Sequence, residues 1–130
     1  IPAIKTLMQS EPGFWRDNWR EDVLARGIEA AGGLAFVWEE SGQLLGFACA
    51  HDLGFRAYLS ELIVAEPARN KDIGTSLIRH IEQELEKRGC AVLFSDVWTT
   101  AVEFYKSLGW SEPEVVLLRK RLGQNPNGQE

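Results

Sequence analysis

The chain has 130 residues, 45% hydrophobic and 25% charged, with a formal net charge of −5 at pH 7, which suits one globular domain with a real core and leaves no room for a second. A negative balance argues against non-specific nucleic-acid binding, which needs a basic surface, and is mildly compatible with a cationic substrate. No apolar run approaches the roughly 18 residues that cross a bilayer, and the amino terminus lacks a basic-then-apolar secretory layout, so no membrane partner and a cytoplasmic location are expected.

Ile1 rather than Met opens the sequence, which leaves room for native residues, a strand among them, ahead of it. Ile4, Leu7 and Met8 at helical spacing after Pro2 predict a short first helix, broken at Glu11-Pro12-Gly13. Asn18 and Glu21 resemble a capping box, and Trp19, Val23, Leu24, Ile28 and Ala31 mark the apolar stripe of a second helix that stops at Gly32-Gly33. Trp15 and Trp19 stand where these helices meet; they are candidates for a substrate wall, although tryptophans at helical spacing usually pack in a core.

The apolar runs 34–39 and 44–50 flank Glu40-Ser41-Gly42-Gln43 and predict an antiparallel hairpin. His51-Asp52 closes its second strand and is a candidate for substrate contact, although a surface histidine beside an aspartate needs no functional explanation. Cys49 and Cys90 have no short spacing, so neither a metal site nor a disulfide framework is expected, only reduced, buried thiols.

A third strand begins at Tyr58 and runs to Val64. Ala65 to Gly74 then forms a polar loop into an amphipathic helix, with Ile73, Leu77, Ile78, Ile81 and Leu85 on one side and Gly89 at the end. A helix start leaves backbone N–H groups without intrahelical partners and carries partial positive charge, which suits a phosphate. Gly74 allows close backbone approach, Arg69 and Lys71 add cations, and Thr75 and Ser76 add hydroxyls, so residues 69–76 form a candidate phosphate cradle that also includes Asn70, Asp72 and Ile73.

Residues 92–97 predict a strand parallel to the one at Tyr58, because a helix links them. Thr100 and Glu103 form a second capping-box pattern ahead of a helix over 101–108, ended by Gly109. Ala101, Phe104, Tyr105 and Leu108 share one face of it, which in isolation asks only for packing. Residues 115–122 read as a last, edge strand and 123–130 as a polar tail, so 1–122 is taken as a single α/β domain with a mixed, mostly antiparallel sheet flanked by helices.

The loop and helix after Tyr58, followed by Ala101-Val102-Glu103-Phe104-Tyr105 and by Gly109-Trp110, resemble the GNAT superfamily of acyl-CoA-dependent N-acetyltransferases. The likeness runs from the first helix to Leu122, without the usual first strand. It implies that the cradle binds the CoA pyrophosphate, with Arg69 and Gly74 in the family's register and Asp72 at the position of its first glycine. It further implies that the strand at Tyr58 splays from the strand after Gly89 and offers backbone groups near Leu62, Ile63 and Val64 to the pantetheine arm. Tyr105 matches the tyrosine that protonates the departing thiolate, and Trp98 replaces an asparagine often found there.

Glu61 is the candidate general base. It is the one carboxylate within an otherwise largely apolar strand, with Leu59 and Ile63 expected on its face, and burial raises a carboxylate's pKa. Relatives often carry the acidic residue one position earlier, where Ser60 stands here, and a structural salt bridge is the competing role for Glu61. The resemblance implies an enzyme moving an acetyl group from acetyl-CoA to a primary amine, a small molecule in the first instance with protein lysine or N-terminal amines as alternative acceptors, without metal; a homodimer is left open. Asp72 and Trp98 motivate the rival reading, an acyl-CoA-binding regulatory module without turnover.

Overall fold

The computed structural model describes residues 1–69 and 71–123. Ser41 and Gly42, both at positive φ, make the tight turn that joins β1 (Ala35–Glu40) to β2 (Gln43–Asp52). Positive φ at both central positions matches the right-handed twist of paired strands, and the two are antiparallel as expected. β3 (Ala57–Val64) pairs antiparallel with β2, and β4 (Leu93–Phe94) pairs parallel with β3, giving a mixed sheet of order β1-β2-β3-β4.

Adjacent residues of a strand point to opposite faces, and β2 divides the packing accordingly. A Cβ on Gly46 would stand 2.9 Å from Ile73 and 3.1 Å from Leu77, so this face carries α3 (Ile73–Lys87) at close approach. Ile73, Leu77, Ile78, Ile81 and Leu85 are its buried residues, as the periodicity predicts, and Gly89 at φ +80° follows its end. Phe47 and Cys49 face the other way, toward Met8 of α1 (Pro2–Ser10) and Leu24 of α2 (Val23–Ala30). The sheet is thus sandwiched, with Phe47, Leu34, Leu59, Ile73, Ile78 and Ile81 its largest fully buried side chains.

Several boundaries differ from the sequence expectation. α2 starts at Val23 rather than at an Asn18 cap, because the bonds from Trp19 N to Arg16 O and Val23 N to Arg20 O are separate i→i+3 turns. β4 is two residues long rather than spanning 92–97: its ladder ends at Tyr58↔Phe94, and Ser95 then donates its hydroxyl to the Leu59 carbonyl at 2.8 Å. Cys49 is buried and Cys90 only half-buried.

Chain contacts divide into two units, Ile1–Ser95 and Asp96–Glu130. In the second, a 3-10 turn over Thr99–Ala101 precedes α4 (Val102–Ser107), and no side-chain cap forms where the Thr100/Glu103 box was expected. Residues 115–122 form no strand: Val115, Val116, Leu117 and Leu118 are 67–87% exposed, a consecutive apolar run without the alternation that gives a strand one buried face. Residues 124–130 of the expected tail lie outside the described residues.

Candidate active site

One register shift in the β2–β3 ladder shapes the site. Cys49 pairs with Glu61 and Ala50 with Leu59, so Ser60 is the extra residue of a β-bulge. Neighbouring Cys49 and Ala50 lie on opposite faces; Glu61 therefore shares the Cys49 face, with Ile63 opposite Phe47, while Leu59 lies on the α3 face. This corrects the expectation that Leu59 stands beside Glu61, and the cause is the bulge, which breaks simple alternation. Ser60 and Glu61 both line a cavity on the α1–α2 side.

That cavity has a volume of about 200 Å³ and brings Glu61 together with Trp15 and Trp19. The two indole rings meet edge to face, centroids 5.2 Å apart, and Lys5 Nζ sits 5.2 Å from the Trp15 ring centre. Met8, Val23, Leu24, Ile28 and Phe47 supply the rest of an apolar wall. Desolvation in these surroundings pushes the Glu61 pKa up to about 7, into the range useful for a general base at neutral pH. Burial is likewise the main cause that raises the Cys49 thiol pKa.

His51 is not the surface residue expected: it is half-buried and lines the same cavity. Ser60 Oγ donates to the Cys49 carbonyl at 3.1 Å, and His51 Nε2 stands 3.2 Å from Ser60 Oγ and 3.8 Å from Cys49 Sγ. Asp52 points elsewhere, accepting from Gly54 N at 2.9 Å. Sequence spacing carries no sign of this His51–Ser60–Cys49 connection, because it depends on cross-strand register.

The cradle residues occupy the turn into α3. Asp72 takes the helix N-cap position at φ +60°, ψ +19°, the left-handed conformation that glycine adopts most easily, and its side chain makes no cap bond. The first-turn amides of Ile73, Gly74 and Thr75 therefore start the helix without a carboxylate cap from residue 72. Ile73 is buried, Gly74 and Thr75 half-buried, and Lys71 and Ser76 exposed. Arg69 forms an ion pair with Glu11 at the end of α1 and donates through Nε to the Val64 carbonyl at 3.3 Å. Asn70 lies outside the described residues. Leu62, Ile63 and Val64 pair with Ala48, Phe47 and Gly46 on one side, and among the described residues no strand pairs with them on the other.

In the second unit, Tyr105 is 8% exposed, with the rings of Phe104 and Trp110 edge-on at 5.4 and 5.1 Å. Phe104 is 38% exposed and Ala101 belongs to the preceding 3-10 turn, so the shared helical face does not pack as one stripe. Burial first, and the negative charge of Asp96 second, push the Tyr105 pKa up to about 12. The phenol stays protonated across the neutral range. Trp98 is 60% exposed.

Among the described residues no group of three or more His, Cys, Asp or Glu could hold a metal ion, and no helix is long and apolar enough to cross a membrane. The pattern of the Acetyltransferase (GNAT) family matches residues 2–110. The [ribosomal protein bS18]-alanine N-acetyltransferase of Escherichia coli (strain K12) is 29% identical over 118 residues, covering 88% of this chain and 77% of that protein. The peptidyl-lysine N-acetyltransferase YiaC of the same strain is 28% identical over 116 residues, covering 85% and 76%. The crystal structure of the ribosomal-protein-S18-alanine N-acetyltransferase from Escherichia coli superposes with a TM-score of 0.70 at 27% identity, over 86% of this chain and 72% of that one. With a family pattern spanning most of its length on the matching mixed-sheet fold, the chain belongs to the GNAT family of N-acetyltransferases, which use acetyl-CoA as co-substrate.

Proposed function

We propose that this chain, read as one catalytic domain over residues 1–122, transfers the acetyl group of acetyl-CoA directly to the primary amine of a small molecule. The observation that supports this most directly is the cavity in which Glu61, with its pKa raised to about 7, lies beside Trp15 and Trp19. Glu61 takes the proton that the amine loses as its nitrogen attacks the thioester carbonyl. Backbone N–H groups stabilise the oxyanion, and Tyr105 gives its proton to the departing thiolate. The first-turn amides of α3, with Lys71 and Arg69 at the same loop, hold the diphosphate, and the open side of Leu62, Ile63 and Val64 takes the pantetheine arm. The two free cysteines suit a reducing cytoplasm.

The test is thiol release from acetyl-CoA with a panel of amines. Wild type should release thiol in the presence of an accepted amine, and Tyr105→Phe should lower kcat by about 100-fold, the usual worth of general-acid catalysis, while acetyl-CoA affinity holds. The left-handed Asp72, whose carboxylate stands at the cradle, favours one second reading, a binding module without turnover. Acetyl-CoA binding with no amine-dependent release, unchanged in Tyr105→Phe, would establish that reading instead.

A further inference from the structure

The cavity that holds Glu61 has room for about 200 Å³ of ligand, and a cavity of about 150 Å³ accommodates benzene. A benzene-sized ring with a two-carbon amino arm, or a branched alkyl amine, therefore fills it. Its walls are apolar where the body of such a molecule would lie, at Trp15, Trp19, Leu24 and Phe47. Aromatic faces attract both a ligand ring and the adjoining ammonium. The cavity's polar lining residues are few, and two of them, Ser60 and His51, lie within hydrogen-bond reach of each other while Ser60 also donates to the Cys49 carbonyl.

From this distribution we infer that the acceptor is a monoamine on an apolar body, of arylethyl or branched-alkyl type, with its nitrogen at Glu61. The inference rests on the transferase reading above and narrows it. Among the described residues Glu61 is the single carboxylate lining the cavity, so it neutralises one ammonium. A second ammonium held within the cavity would lie against hydrocarbon without a counter-charge, and Lys5 beside Trp15 would repel it further, so a polyamine or aminoglycoside gains from these walls only what its first amine does. Peptide amides drawn into the cavity would meet mostly apolar walls that cannot hydrogen-bond them. In the step itself Glu61 first takes one proton from the bound ammonium and passes it to solvent, which frees the nitrogen lone pair. The nitrogen then bonds to the acetyl carbon as the carbon–sulfur bond breaks, its second departing proton passes to Glu61 and the Tyr105 proton to sulfur, leaving a secondary amide and free thiol, with Tyr105 reprotonated from solvent.

Thiol release from acetyl-CoA should be compared for phenethylamine, isopentylamine, spermidine, an aminoglycoside and a hexapeptide with a free alanyl amino terminus. The two monoamines should exceed the others in kcat/KM by about tenfold or more, the equivalent of one unpaired polar or charged group. Trp15→Ala should raise KM for phenethylamine by about tenfold and change kcat less than KM; should that variant fail to fold, the wild-type ranking alone decides. A higher kcat/KM for spermidine, the aminoglycoside or the peptide would overturn the monoamine assignment and leave the transferase intact. Absence of release with every amine would overturn the transferase reading and this one with it.

Discussion

Glu61 carries a stability cost as well as a candidate catalytic role. Its pKa rises from 4.5 to about 7 because burial disfavours the ionised form, so between about pH 4.5 and pH 7 the folded state binds more protons than the unfolded one. Stability from this group then falls as pH rises through that window. Glu61→Gln should therefore match wild type near pH 4 and exceed it near pH 8, by on the order of 1–3 kcal/mol, while losing the activity limb that titrates near neutrality. Unfolding free energies measured for both proteins at the two pH values check the sign; a variant less stable than wild type at pH 8 would point to a salt-bridged Glu61. Asp72 poses a different trade. A left-handed non-glycine residue costs about 1–2 kcal/mol, less for aspartate, whereas glycine adds about 0.5–1 kcal/mol of unfolded-state entropy. These nearly cancel, so Asp72→Gly should leave stability within about 1 kcal/mol and tighten acetyl-CoA binding about fivefold by removing one like charge. Calorimetric titration of acetyl-CoA into both proteins reads that difference.

Helix α3 and strand β3 carry the first unit's two groups of candidate site residues, and each is set by a backbone detail. Gly46 lets α3 approach β2, where a Cβ would press on Ile73 at 2.9 Å and Leu77 at 3.1 Å. Gly46→Ala should thus destabilise the fold by about 1–3 kcal/mol through overpacking, seen as a lower denaturant midpoint with unchanged slope. Since Ile73 opens α3, the same shift should weaken acetyl-CoA binding. In β3 the bulge at Ser60 turns both Ser60 and Glu61 toward the α1–α2 cavity, which re-aims a carboxylate that plain alternation would place otherwise. The ion pair between Arg69 and Glu11 ties the end of α1 to the loop before α3, so a helix lining the Glu61 cavity and the candidate phosphate cradle share one contact.

With a net charge of −5, the chain as a whole repels an anionic ligand, and the transferase reading proposed above assigns capture of the diphosphate to the local amides of α3 and to Lys71 and Arg69. Acetyl-CoA at about a hundredfold excess over its Kd should stabilise the folded state by about 2.7 kcal/mol, with a smaller effect in high salt because exposed cations are screened. A melting curve that acetyl-CoA leaves unmoved at millimolar concentration would contradict CoA binding by either the transferase or the module.

Periodicity alone delivered α1, α3, the β1–β2 hairpin and β3, since apolar spacing and turn residues act over a few neighbours. The same local signals singled out Glu61 as a carboxylate in an apolar strand, and the Phe104-Tyr105 and Gly109-Trp110 motif pointed to Tyr105. They misjudged residues 115–122, where apolar content without a pairing partner makes no strand, and they left His51 on the surface. The bulge at Ser60, the His51–Ser60–Cys49 bonds, the Arg69–Glu11 pair and the shared cavity of Trp15, Trp19 and Glu61 join residues far apart in the chain. Cross-strand register and helix docking create such neighbours, and neither leaves a trace in local sequence order.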